Sequence, residues 1–197
     1  MGYFLCQNCY EKLEFYVLPI SLSVLPIEDI QLDSLIAAVR YDRIIGSLLH
    51  YLKYKHAEDI AEYCADFLFF STYFPDTDYI SAVPIHSSRQ SERGFNQAEL
   101  IAKSLSTLMK IPYRQFLKKN KKTRAQASLQ NQHDRIHNLD AAFMLVENSG
   151  KKDSLKNRSI LLIDDVCTTG STLNSCAKIL KREGAEQVIG LTIAHGF

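Results

Sequence analysis

Ser159-Ile160-Leu161-Leu162-Ile163-Asp164-Asp165-Val166-Cys167-Thr168-Thr169-Gly170-Ser171-Thr172 is the stretch whose reading decides the fold. The uninterrupted apolar run 160–163 has the pattern of a strand buried on both faces of a parallel sheet. It stops at two carboxylates, which places Asp164 and Asp165 at the carboxyl end of a central strand. Two threonines, a glycine and two more hydroxyl residues then open an amphipathic segment. Its Leu173, Cys176, Ala177 and Leu180 recur at helical spacing, and Gly184 supplies the stop. The stretch therefore predicts a strand, a tight loop and a helix.

Backbone N–H groups at the start of such a helix have no intrahelical partner and carry the positive end of its dipole, and Thr168, Thr169, Ser171 and Thr172 add hydroxyl donors. That combination suits a phosphate monoester. Two carboxylates beside it would repel a phosphate but accept hydrogen bonds from vicinal ribose hydroxyls, so a sugar phosphate satisfies both halves. The plainer alternative is an ordinary turn whose acids only cap the helix. No Gly-Lys-Ser/Thr follows, as a Walker loop would need, and there is no Gly-x-Gly-x-x-Gly dinucleotide turn.

A second polar segment of the same kind lies upstream. Tyr79 to Pro84 is a strong strand, and it runs into Ile85-His86-Ser87-Ser88-Arg89 and then Arg93-Gly94-Phe95-Asn96-Gln97. A helix from Asn96 to Lys110 follows, with Asn96 and Glu99 in capping-box spacing and Ile101, Leu105 and Leu108 expected on its inner face. Open parallel sheets bind ligands at strand carboxyl ends, so the two polar segments are expected to be neighbours. Arg89 and Arg93 offer planar donor forks for phosphate oxygens; the alternative is a solvated turn.

These residues resemble a known family. The stretch 161–166 with Thr168 to Thr172 resembles the phosphoribosyl pyrophosphate (PRPP) loop of type I phosphoribosyltransferases. Val83-Pro84-Ile85-His86 with Arg93-Gly94-Phe95-Asn96-Gln97-Ala98 is similar to the pyrophosphate loop of the competence-associated ComF-type branch, as is Thr123-Arg124 with Gln126, Leu129, Arg135, Asn138 and Leu139 to its flexible catalytic loop. The resemblance covers roughly Leu35 to the C-terminus. It implies an α/β fold, a parallel twisted sheet flanked by helices of the type I phosphoribosyltransferase kind, with a small N-terminal appendage as hood: residues 1–34 as appendage, the remnant of a zinc-finger-like segment, and 35–197 as the phosphoribosyltransferase domain.

It also implies roles: Asp164 and Asp165 on the ribose hydroxyls; Thr168, Thr169, Gly170, Ser171 and Thr172 on the 5′-phosphate; His86, Ser87, Ser88, Arg89 and Arg93 on pyrophosphate and its Mg²⁺; Arg124 and Arg135 on a loop that closes during catalysis. The chemistry implied is displacement at the anomeric carbon with pyrophosphate leaving, in a protein that handles incoming single-stranded DNA during natural transformation. Two alternatives stay open: a non-catalytic, PRPP-regulated module for single-stranded DNA, and a nucleotide-salvage enzyme with no DNA role.

Composition narrows the setting. A chain of 197 residues with 46% hydrophobic content can bury a real core. The uncharged apolar stretch Phe15 to Ile27 is too short to span a membrane and is broken by Pro19 and Pro26, so it reads as a connector with short extended pieces. No secretory signal is read ahead of it. Five cysteines, scattered except for Cys6-x-x-Cys9, point to a reducing compartment, and a cytoplasmic protein is expected. Cys6 and Cys9 have the spacing of one zinc knuckle, half of a tetrahedral site, where the family usually carries a four-cysteine finger. The expectation is two free thiols with substoichiometric zinc or none; the alternative is an intact site completed by Cys64, a histidine or a second chain.

Charge is segregated. The net charge is +1, yet 100–133 holds eight Lys or Arg and no acid. Lys118, Lys119, Lys121 and Lys122 with Arg114 and Arg124 form its densest part, read as a basic loop with three competing uses: a solvated surface, a lid over pyrophosphate, or a groove for a nucleic-acid backbone. A short strand 35–39, a helical region 42–70 breaking near Lys55-His56, a strand 143–146 and a final strand 187–194 complete the expected elements.

Overall fold

The computed structural model describes residues 4–53, 57–85, 87–119, 142–146 and 155–196. Strands β1 (Ser34–Arg40), β2 (Tyr79–Ala82), β5 (Ser159–Cys167) and β6 (Gln187–His195) form a four-stranded sheet in the order β1-β6-β5-β2. Every pairing in it is parallel, with Ile163 opposite both Ala82 and Leu191. The run 160–163 is buried to 0% exposure at each position, as an interior strand requires. Leu161 and Ile163 face one core, shared with helices α2 (Arg43–Tyr51), α3 (Ala57–Ser71) and α5 (Gln97–Met109). Ile160 and Leu162 face the other, shared with α6 (Ser171–Arg182). This is the two-faced α/β layering expected of alternating strands and helices.

The turn α1 (Gln7–Tyr10) and a single 3-10 turn at Leu22–Val24 belong to the N-terminal segment. That segment is stitched to β1: Phe15 and Ile20 form isolated antiparallel bridges to Val39 and Leu35, and Tyr16 N donates to the Ala38 carbonyl at 2.9 Å. At the opposite edge Tyr113 bridges Ile80, with Arg114 N donating to the Ile80 carbonyl at 2.8 Å.

Three expectations need correction. The strand at 143–146 is β4 (Phe143–Leu145), and it pairs not with the main sheet but with an unexpected β3 (Leu117–Lys119), antiparallel, in a separate hairpin. Phe116, Leu117 and Phe143 are buried against the α6 core, so three apolar anchors outweigh the surrounding charge that made this segment read as loop. Second, the polar segment after β2 contains a short helix, α4 (Ser87–Arg93). Nothing between 87 and 93 is Gly or Pro, and Gly94 at φ 83° ends it, its N–H donating to the Gln90 carbonyl at 2.7 Å. Third, Leu108 is 37% exposed: α5 buries Ala98, Ile101, Ala102 and Leu105, and in its last turn Met109, four residues after Leu105, packs against the core in place of Leu108.

Candidate functional site

Two loops meet at one end of the sheet because β2 and β5 are adjacent and parallel. From there the chain leaves β2 for α5 on one face and leaves β5 for α6 on the other. Strand ends whose connections diverge in this way open a crevice, the usual ligand position in open α/β sheets.

The acid pair stands at that crevice. Asp165 N donates to Asp164 Oδ1 at 2.9 Å and Val166 N to Asp165 Oδ1 at 2.8 Å, so each carboxylate bends onto the next peptide. Both residues are half-buried by surface exposure. The Asp164 carboxyl is nevertheless pushed well above the usual carboxylate range, first by burial among packed atoms and second by the charge of Asp165. The two acids straddle the strand: the charge of Asp164 raises the thiols of Cys167 and Cys176 on the α6 side, and that of Asp165 raises Cys64 in α3, in each case after burial.

Past Cys167 the chain turns sharply. Gly170 sits at φ 74° as the N-terminal cap of α6, a left-handed conformation that glycine adopts without strain. Thr169 Oγ1 and Ser171 Oγ are 2.9 Å apart, and Ser171 N donates to Thr169 Oγ1 at 3.4 Å. Thr168 and Thr169 are exposed and Ser171 and Thr172 half-buried, so hydroxyls and first-turn N–H groups gather around one turn.

The N-terminal segment clamps the same turn. Leu25 is so close that a Cβ on Gly170 would lie 2.9 Å from its Cδ1. Asn174, in the first turn and a half of α6, accepts from Gln31 N at 2.6 Å and donates to the Asp29 carbonyl at 2.8 Å. Further along, Lys181 pairs with Asp33 at 2.7 Å. Sequence reading passed over Asn174, although an amide on the buried face of an amphipathic helix is a visible anomaly. It also gave no role to Gln97, which is 3% exposed and whose Nε2 has no hydrogen-bond partner among the described residues.

On the β2 side Asn96 caps α5, accepting from Ala98 N at 3.2 Å, and its amide donates to the Val83 carbonyl at 2.9 Å, tying helix to strand. The reciprocal half of the capping box is replaced by a forward ion pair, Glu99 to Lys103 at 2.8 Å. Asn96→Ala is expected to cost about 1–2 kcal/mol by loss of a cap and of a buried bond. A chemical denaturation midpoint equal to that of the parent protein would contradict it.

The remaining candidate residues divide cleanly. Arg93 is half-buried at the end of α4. His86, Arg124, Arg135, Lys121 and Lys122 lie outside the described residues, as do the side chains of Ser87, Ser88 and Arg89. Lys118 and Lys119 are not on a loop: they occupy β3 opposite Met144 and Phe143. The Lys119 ammonium lies 5.2 Å from the Phe143 ring centroid. Cys6 is exposed and Cys9 half-buried, and among the described residues no three His, Cys, Asp or Glu side chains are grouped to hold a metal.

An all-parallel sheet with vicinal acids leading into a glycine-capped, hydroxyl-rich helix start defines the type I phosphoribosyltransferase class. Residues 93–196 match the family described as phosphoribosyl transferase domain. Over 110 residues the chain is 40% identical to competence protein F of Haemophilus influenzae, covering 55% of this chain and 46% of that protein. Over 162 residues it is 31% identical to the DNA utilization protein YhgH of Salmonella typhi, covering 78% of this chain and 68% of that one. The chain thus spans about half the length of competence protein F and two thirds of YhgH. Among solved structures, adenine phosphoribosyl transferase from Trypanosoma brucei matches with a TM-score of 0.45 and 11% identity, over 94% of this chain and 76% of that one. The chain belongs to the phosphoribosyltransferase family, in its competence-associated ComF branch. Among the described residues no helix is long and apolar enough to cross a membrane.

Proposed function

We propose that this protein binds PRPP at the carboxyl ends of β5 and β2 and acts in natural transformation on incoming DNA, with transfer of phosphoribosyl to an acceptor and release of pyrophosphate as its chemistry. The observation that carries the reading is the acid pair near the carboxyl end of β5, followed, after four intervening residues, by the Gly170 turn at the crevice. Asp164 and Asp165 accept hydrogen bonds from the ribose hydroxyls; Thr168, Thr169, Ser171 and Thr172, with the N–H groups around Gly170, donate to the 5′-phosphate. His86, Ser87, Ser88, Arg89 and Arg93 take the pyrophosphate, and Arg124 and Arg135 close over it.

As pyrophosphate departs, positive charge develops on the ribose ring beside two carboxylates. Asp164 is disfavoured as an anion by burial and by Asp165, so a cationic transition state relieves that cost. The donor set suits magnesium, which prefers hard oxygen ligands and usually takes one or two carboxylates, keeping substrate phosphates and water for the rest. Asp164 and Asp165 are the residues on hand to hold it, with Arg93 beside the pyrophosphate; bound, it supplies charge neutralisation at the leaving group. Direct calorimetric titration with PRPP and Mg²⁺ tests the assignment, and absence of saturable heat would refute it.

A second activity is supported by the basic segment and by the names of the relatives, competence protein F and DNA utilization protein YhgH. Single-stranded DNA held along this segment should dissociate steeply with salt, with a log-log slope of ~0.7 per phosphate contact. Alanine at Lys118, Lys119, Lys121 and Lys122 together is expected to flatten that slope. Full retention of both the salt slope and pyrophosphate release by the quadruple variant would end the DNA assignment and the lid assignment together. The setting is cytoplasmic on this reading.

A further inference from the structure

β2 is the outer strand of the sheet, and the segment 112–114 lies along its free rim. Ile80 N donates to the Pro112 carbonyl at 3.1 Å and Arg114 N to the Ile80 carbonyl at 2.8 Å. In a parallel ladder the next carbonyl facing that rim belongs to the residue two further on, Ala82. Val83 N, by contrast, turns inward to the Ile163 carbonyl at 2.9 Å. At Ala82 the rim passes from backbone to side chain: Gln115 Nε2 donates to the Ala82 carbonyl at 3.3 Å. The same nitrogen donates to the Leu117 carbonyl at 2.6 Å, at the start of β3.

The orientation of this amide is fixed from its other end. Tyr113 Oη donates to Gln115 Oε1, which commits the Gln115 nitrogen to donation. Burial, and after it the charge of Glu99, holds the Tyr113 phenol above its usual pKa range, so the hydroxyl keeps its proton. The Lys103 ammonium lies 5.6 Å from the Tyr113 ring centroid and pairs with Glu99 at 2.8 Å, which ties the network to α5. On the other flank the Val83 carbonyl accepts from Asn96 Nδ2 at 2.9 Å. Two consecutive carbonyls at the end of β2 are therefore held by side-chain amides, one from each neighbouring segment.

We propose that Gln115 is a positioning residue for the pyrophosphate half of the site. It fixes the carboxyl end of β2, from which Val83, Pro84 and Ile85 lead to the residues assigned to pyrophosphate, and it sets that end in register with the root of the β3–β4 hairpin. The inference rests on the PRPP reading above. Gln115 acts through the Ala82 carbonyl rather than on a ligand. The Gly170 turn is held separately, by Leu25 and by the Asn174 bonds to Asp29 and Gln31, so a change at Gln115 is felt at pyrophosphate and not at the 5′-phosphate.

Calorimetry on the full chain with Mg²⁺ separates the two halves with two probes, inorganic pyrophosphate and ribose 5-phosphate. Gln115→Met keeps the length of the side chain and deletes the amide. It is expected to weaken pyrophosphate binding roughly tenfold and to leave ribose 5-phosphate within about twofold of the parent. Tyr113→Phe keeps the ring and frees the amide to turn over; it is expected to move the same ratio in the same direction by roughly threefold, and it carries the test should Gln115→Met fold poorly. Parental pyrophosphate affinity in either folded variant, or equal weakening of both probes, would overturn the positioning role. A parent protein that fails to saturate with both probes would instead refute the PRPP reading, and this inference with it.

Discussion

Asp164→Asn with Asp165→Asn is expected to abolish the stabilisation that PRPP and Mg²⁺ give the protein, while making the ligand-free protein more stable. In the parent, ligand at a hundred times its Kd adds about 2.7 kcal/mol, which for a chain of this size raises Tm by about 5–10 °C. The carboxylates hold the ribose in this reading, so their loss removes the shift. The ligand-free gain follows from the direction of the Asp164 shift. A carboxyl whose folded pKa is raised holds more protons folded than unfolded between the two pKa values. The parent therefore loses stability as pH rises above about 3.9, the unfolded value, and continues to lose it until the folded pKa is passed. An uncharged amide escapes that loss by roughly 0.5–2 kcal/mol, in the range commonly gained when a functional residue is replaced. Differential scanning fluorimetry with and without PRPP reads both quantities. An unchanged PRPP shift sinks the ribose assignment; a ligand-free variant that melts below the parent sinks the account of Asp164.

Gly170→Ala is expected to be the most damaging small substitution near the site. A Cβ there meets two costs: a φ of 74°, worth about 1–2 kcal/mol for an L side chain, and Leu25 Cδ1 at 2.9 Å, buried to 4% and held by its own core. Together these amount to roughly 2–4 kcal/mol, a fall in Tm of about 10 °C. Gly94→Ala isolates the first cost, since it shares the left-handed backbone at φ 83° but has no atom within 4 Å of the added carbon. Adding Leu25→Ala to Gly170→Ala should restore part of the loss. Equal melting of the two glycine variants, with no rescue, would show that the N-terminal segment does not press on the phosphate turn.

Why the sheet and the β5–α6 unit were legible is a matter of local signals agreeing. The run 160–163 and Gly170 specify strand and turn within a dozen residues, with no distant partner needed, whereas the two acids, read as the place where the strand stops, lie inside β5, which runs on to Cys167 because β6 continues to pair with it. The hairpin was not legible because its evidence is divided: Leu117 and Phe143 are buried by each other's strand and by α6, and nothing local to 117–119 outweighs Lys118 and Lys119. Lys119, grouped by sequence with the nucleic-acid candidates, stands in this hairpin beside the Phe143 ring. The clamp of 25–33 on α6 was hidden for the same reason, since Asn174 is satisfied by backbone 143 and 145 positions away. Leu108 was misjudged because an i+3 step and an i+4 step from Leu105 both fit the period, and it is Met109, at the i+4 step, that packs against the core.

The bridges at the two rims of the sheet have a consequence for the molecule in solution. A four-stranded sheet ordinarily presents two rows of unpaired N–H and C=O groups, which invite strands from other chains. Here the carbonyls of Leu35 and Ala38 and the N–H of Arg40 are already engaged by residues 14–20, and the Ile80 peptide by Pro112 and Arg114. The N-terminal segment thus doubles as a guard against sheet extension. Trimmed back to residue 34, the chain would keep its acid pair and its phosphate turn but acquire a sticky margin along β1, and self-association through that margin would then compete with folding.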